Sequence, residues 1–153
     1  MATVFRICKT KHTATAFDGE GAFRFGGRWN SRGTRIVYTA GSLALAALEM
    51  LIHLEDDQIL FDYSFVAAEI DPALVMAVND FRPLPAEWCD SPAPLGVQQI
   101  GDDWARARAS AVLEVPTSVI PLEKNYLLNP NHPDFKHINP GKPEKFSFDE
   151  RLR

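Results

Sequence analysis

The sequence predicts one α+β (mixed α/β) domain spanning residues 1–153, with small central β-sheets flanked by helices. Three observations carry this. A chain of 153 residues suits a single domain with a real core. Segments rich in β-branched and aromatic residues mix irregularly with helical ones. No internal repeat, low-complexity tract or linker divides the chain. Hydrophobic residues make up 46% and charged residues 24%, an ordinary globular balance.

The elements follow in order. "TVFRI" (3–7) reads as a short strand, and polar residues 10–25 as a loop with at most a short helix. "TRIVYT" (34–39) is β-branched and aromatic, a strand pattern. "SLALAALEMLIHLE" (42–55) is the clearest helix, with Thr39 or Ser42 as its N-cap. "FVAAEID" (65–71) reads as a strand. Residues 82–96 carry Pro83, Pro85, Pro92 and Pro94 and read as a loop. "GDDWARARAS" (101–110) predicts a helix with Asp102 and Asp103 in its first turn. "AVLEVP" and "SVIP" form a strand region broken at Pro116, and "NYLLNPNHPDF" a strand followed by a turn. From about Gly141 the chain reads as surface.

Composition excludes some functions. A net charge of -4 argues against a nucleic-acid surface, which normally carries a basic patch. No run reaches the roughly 18 apolar residues of a membrane span. "MATVFRICKTKH" lacks the apolar core of a signal peptide, so a cytoplasmic protein with Cys8 and Cys89 reduced is expected. His132 and His137 lie in a Pro-rich turn without a cysteine nearby, a poor zinc pattern.

Two features carry chemistry. Glu49 is the only charged residue between Gly41 and Ile52, on a helix apolar all round. Such a helix is expected to be buried, and Glu49 with it. Glu49 is then either a core glutamate satisfied by an arginine or backbone donors, or a catalytic acid facing a pocket. Upstream, "GGRWNSRGTR" places Arg28, Arg32 and Arg35 close to Gly26 and Gly27. Glycines permit close backbone approach to a ligand, and guanidinium groups bind phosphate bidentately. A solvated turn is the plainer reading. Neither a G-x-G-x-x-G fingerprint nor a Walker A loop is present.

The order of motifs adds a resemblance. "GEGAFRFGGRWNSRGTRIVYTAGSLALAALEML", then "VPTSVIPLEKNYLLNPNHPDF", then "FSFDERL" resembles the RES domain, the toxin half of bacterial Xre–RES toxin–antitoxin pairs. The resemblance spans nearly the whole chain. It implies a fold like that of the ADP-ribosyltransferases and an enzyme that degrades NAD by hydrolysis or phosphorolysis. The family's named arginine carries over to Arg28, its glutamate to Glu49 and a tyrosine to Tyr38. Its serine falls on "VPTS", where Ser118 is preferred to Thr117; one residue's shift on a strand reverses the side-chain direction.

The resemblance implies that Glu49 stabilises the oxocarbenium-like ribose as nicotinamide leaves. Tyr38 offers its ring to the nicotinamide, and Arg28 contacts the diphosphate or orients the ribose. Arg6, Gly27, Trp29 and Asn125 are the expected NAD-binding residues. For Arg6 an ion pair at a strand edge, and for Asn125 a turn, are the plain alternatives. No cofactor or metal is expected, since NAD is consumed as substrate with water or inorganic phosphate as acceptor. The expected partner is an Xre-type helix-turn-helix antitoxin covering the site, with DNA contacted only through it. A homodimer within that complex is compatible with this picture.

Overall fold

The computed structural model describes residues 1–152. Eight strands form one sheet: β1 (Ala2–Lys9), β2 (Val37–Ala40), β3 (Tyr63–Ile70), β4 (Val75–Ala77), β5 (Val112–Pro116), β6 (Lys124–Leu128), β7 (Asn139–Pro140) and β8 (Glu144–Phe146). Their order is β4-β5-β6-β2-β1-β3-β7, with β8 also on β3. Among the described residues, β4 and β5 are the only neighbouring pair that runs parallel. Four α-helices accompany the sheet: α1 (Glu20–Phe25), α2 (Leu43–His53), α3 (Val78–Phe81) and α4 (Leu95–Ala107). The mixed α/β expectation holds.

Register decides which side chains share a face. Phe5 pairs with Ala40, Ala40 with Asn125, and Asn125 with Val115. Tyr38 pairs with Leu127, and Leu127 with Leu113. Successive strand residues alternate sides. Phe5, Ile7, Tyr38, Ala40, Asn125, Leu127, Leu113 and Val115 therefore point one way. Val4, Arg6, Val37, Thr39, Leu128 and Val112 point the other.

The first face carries two helical covers. Leu43, Ala46, Ala47, Met50 and Leu51 of α2 pack around Ile7. Val97, Ile100 and Trp104 of α4 pack with Leu113, Val115, Leu127, Trp29 and Ile36. The second face buries Val4, Val37, Val112 and Leu128 beneath Phe17, Phe135 and Ile138. A seam therefore runs between α2 and α4 on the first face.

Several expectations are corrected. Ser42, not Thr39, caps α2, its side chain accepting from the Leu45 N–H. That helix is not buried all round: Leu48 is 38% and Ile52 58% exposed on its outer side. The seam-side and core-side apolar residues bury one stripe only, and Glu49 sits at the stripe's edge. α4 begins at Leu95 rather than 101, because Pro94 occupies the N-cap, where no N–H is needed. Asp102 and Asp103 are therefore inside the helix rather than in its first turn. The short helix allowed within residues 10–25 is α1, and β4 with α3 occupies residues with no predicted element. The C-terminal stretch is not all surface: Phe148 is buried, edge-on to Tyr63 and Phe146.

Gly101 lets α4 lie directly on the main chain of Trp29. A Cβ at that position would run into the Trp29 carbonyl oxygen. Gly101→Ala should cost about 3 kcal/mol through overpacking. At about 3 °C per kcal/mol for a chain this size, calorimetry should show the melting temperature lowered by roughly 9 °C.

Candidate functional site

Glu49, on α2, lies beside the end of the β5–β6 pair where the connecting turn joins the two strands. Its Oε1 accepts from Asn125 Nδ2 at 2.8 Å, and its Oε2 accepts from Thr117 Oγ1 at 2.9 Å. Thr117 Oγ1 in turn accepts from the Val119 N–H at 3.1 Å. That bond uses the hydroxyl's acceptor side and leaves its proton for Glu49. Among the described residues, no arginine or lysine forms an ion pair with Glu49. The arginine and backbone donors expected for a core glutamate are absent from this site. Two neutral side chains hold the carboxylate instead. They orient it without neutralising its charge.

The local sequence explains the clamp. Asn125 lies inside β6, opposite Ala40 and Val115, and is not a turn residue. Thr117 follows β5, and its N–H donates to the Glu123 carbonyl to close the turn before β6. Thr117 is 1% exposed. Of the two hydroxyls in "VPTS", the one that reaches Glu49 belongs to Thr117. Ser118, preferred from sequence, follows it into the turn and makes no bond to Glu49.

Tyr38 lies on the same face, two residues from Ala40 along β2, about 7 Å. Its hydroxyl donates to Asn30 Oδ1 at 2.5 Å and accepts from the Trp29 N–H at 3.1 Å. Burial pushes the phenol far above its ordinary pKa. Gly27 is required here, because a Cβ would lie 2.6 Å from the Tyr38 hydroxyl oxygen. The loop carrying these groups is tied to α4: Gln98 Nε2 donates to the Gly27 carbonyl, and Ser31 donates to Asp102 through both its N–H and its hydroxyl.

The other sequence candidates fall elsewhere. Arg28 Nη1 donates to the Trp88 and Asp90 carbonyls at 3.1 and 2.9 Å, pinning the Pro-rich loop. Trp29 is 2% exposed inside the α4 cluster, so its ring is a core group and not a ligand contact. Arg6 points to the opposite side of β1 from Phe5. Its Nη1 donates to the Tyr38 carbonyl of the neighbouring strand at 3.1 Å. β1 is an inner strand, and among the described residues Arg6 has no ion pair, so the strand-edge pair is not formed. Burial lowers the Arg6 pKa, and its Nε is buried without a partner. Sequence reasoning missed Asn30, Gln98 and Asp102. Polar residues in a loop and on a helix carry no pattern that distinguishes them from solvated ones.

Among the described residues, no group of three His, Cys, Asp or Glu side chains could hold a metal ion. Among the described residues, no helix is long and apolar enough to cross a membrane. A 410 Å³ depression lined by Thr13, Phe17, Val66 and Pro140 lies apart from Glu49.

Comparison with known proteins places this geometry in context. The RES domain family model matches residues 3–149. A protein of Yersinia enterocolitica named Toxin Res is 35% identical over 98% of this chain and 99% of its own length. A protein of Sphingobium named Prs ADP-ribosylating toxin is 38% identical over 99% of this chain and 98% of its own. Among solved structures, the Mycobacterium tuberculosis MbcT–MbcA toxin–antitoxin complex contains a chain of similar fold. The TM-score is 0.75 at 16% identity, covering 99% of this chain and 86% of that one.

The clamp separates the two hydroxyls of "VPTS" by stability. Thr117→Val strands the Val119 N–H and one Glu49 oxygen and should cost about 1–3 kcal/mol. Ser118→Ala should stay within about 0.5 kcal/mol in the same urea denaturation.

Proposed function

The chain belongs to the RES domain family, and we propose that it is the toxin of a toxin–antitoxin pair and acts by cleaving the nicotinamide–ribose bond of NAD. The observation that carries this reading is Glu49: a carboxylate oriented by Thr117 and Asn125 and, among the described residues, in no ion pair with an arginine or lysine.

Cleavage breaks the bond between the ribose anomeric carbon and the nicotinamide nitrogen. The bonding pair leaves with nicotinamide, which becomes neutral, and positive charge builds on the ribose carbon and ring oxygen. A fixed carboxylate next to that ribose stabilises the charge without reorganising as it forms. An arginine paired to Glu49 would have weakened that stabilisation. Water or inorganic phosphate then bonds to the anomeric carbon and gives up a proton, yielding ADP-ribose or ADP-ribose phosphate. NAD is the substrate and no resident cofactor takes part.

Tyr38 presents its ring to the nicotinamide and limits the conformers in which the bond can break. Gly27 brings the loop's main chain close to the ligand. Arg28 has Nη1 committed to the Pro-rich loop, so Nε and Nη2 remain for the diphosphate or ribose. Arg6, on the other side of the sheet from Tyr38 and Glu49, would act only indirectly, through its bond to the Tyr38 carbonyl. Ser118, in the turn beside Thr117, would meet the ligand rather than Glu49.

The partner in this reading is an Xre-type helix-turn-helix antitoxin that covers the site in the cytoplasm. DNA is then reached only through it. The name of the Sphingobium relative favours a second reading, in which the same pocket passes ADP-ribose to a protein.

Purified protein free of antitoxin, incubated with NAD with and without phosphate, should consume NAD. Mass spectrometry then identifies the acceptor: ADP-ribose without phosphate marks a hydrolase, and ADP-ribose phosphate formed only with phosphate marks a phosphorylase. Intact NAD under both conditions would contradict NAD degradation and leave transfer to a protein.

A further inference from the structure

Asn30 is fully buried, yet no sequence pattern singles it out. Its Nδ2 donates to three main-chain carbonyls: Ala22 at 3.0 Å, Ser31 at 2.9 Å and Thr34 at 3.1 Å. Three acceptors on one side determine which end of the amide is nitrogen. The oxygen must therefore face Tyr38. An amide oxygen only accepts, so the Tyr38 hydroxyl must donate to it, at 2.5 Å. The same hydroxyl accepts from the Trp29 N–H. The Trp29 main chain rests against α4 at Gly101.

The packing of Trp29 on α4 and these bonds together link α4 through Trp29 and Tyr38 to Asn30, and on to three main-chain carbonyls. The phenol is held at its far end by two bonds of opposite sense. Its proton is directed to Asn30 and away from any ligand. Gly27 makes room for this arrangement, since a Cβ there would lie 3.0 Å from Asn30 Oδ1 and 2.6 Å from the phenol oxygen.

We infer that Asn30 is a positioning residue, which locks the Tyr38 phenol so that Tyr38 serves the reaction through its ring and not through its hydroxyl. This rests on the reading that Tyr38 packs against the nicotinamide of NAD. The loop arginines and Glu49 supply charge, and Asn30 supplies none. Its contribution is the orientation of the one aromatic surface on this face that the strand itself delivers. The raised pKa of the phenol agrees, because it keeps the hydroxyl protonated across the working range.

The test compares NAD consumption by wild type, Tyr38→Phe, Asn30→Ala, the double variant and Tyr38→Leu, with kcat, KM and the pH profile of kcat measured for each. Tyr38→Phe keeps the ring and cuts the tie, and should lower kcat about tenfold with little change in KM or in the pH profile. Asn30→Ala should lower kcat by a similar factor. The double variant should be no worse than either single one, because both remove the same link. Tyr38→Leu should fall well below Tyr38→Phe.

Losses that multiply in the double variant would overturn the inference. So would a pH limb that disappears in Tyr38→Phe, which would make the hydroxyl a proton donor or acceptor. Full activity in Tyr38→Phe would overturn it as well. Should Asn30→Ala fail to fold, Tyr38→Phe against Tyr38→Leu and the pH profile still decide the matter. A wild type that leaves NAD intact would overturn the underlying reading, an outcome distinct from an active wild type with multiplying losses.

Discussion

The carboxylate of Glu49 is held between a strand amide and a turn hydroxyl, and the arrangement of the site depends on that clamp. Asn125 and Thr117 come from β6 and from the turn after β5, whereas Glu49 comes from α2. The clamp therefore joins the helical cover to the sheet at the seam. Both donors are neutral. A carboxylate tied down by arginine would be equally fixed but electrostatically quiet. Here orientation and charge are kept together, the combination that stabilisation of a developing cation needs.

A second constraint works from the other side of the seam. The loop between α1 and β2 looks flexible, with glycines at 26, 27 and 33. Its bonds to α4 and its internal bonds to Asn30 make it a rigid wall. Gly27 and Gly101 matter for the room they leave rather than for mobility. One admits the Tyr38 hydroxyl and the other admits the Trp29 carbonyl. Arg28 extends the wall by holding the Pro-rich loop against it. The cationic loop before a core strand is thus built as much for its main-chain contacts as for its charge.

Much of this was legible in the sequence, and the failures share a cause. Strand and helix cores such as "VFRI", "LALAALEML" and "NYLL" announce themselves through side-chain type, which is local information. Their tertiary roles are not local. The outer side of α2 is as apolar as its inner side, so composition could not reveal that Leu48 and Ile52 are exposed. Pro94 reads as a helix breaker but serves as an N-cap, which moved the start of α4 by six residues. Which of Thr117 and Ser118 bonds Glu49 depends on the conformation of a single turn. Glu49 and Tyr38 stood out in the sequence because a lone carboxylate on an apolar helix and a recognisable motif order marked them. Asn30 did not, because a buried asparagine in a loop has the same letter as a solvated one.

The central claim is that the uncancelled charge of Glu49 does the chemical work. Glu49→Gln keeps the size of the side chain and removes the charge, so its NAD consumption compared with wild type is the most direct measurement. The account predicts a loss of about hundredfold or more in kcat, with the folded structure retained by circular dichroism and thermal melting. A folded variant that still consumed NAD within about threefold of wild type, well short of the loss expected for a removed electrostatic stabiliser, would contradict it.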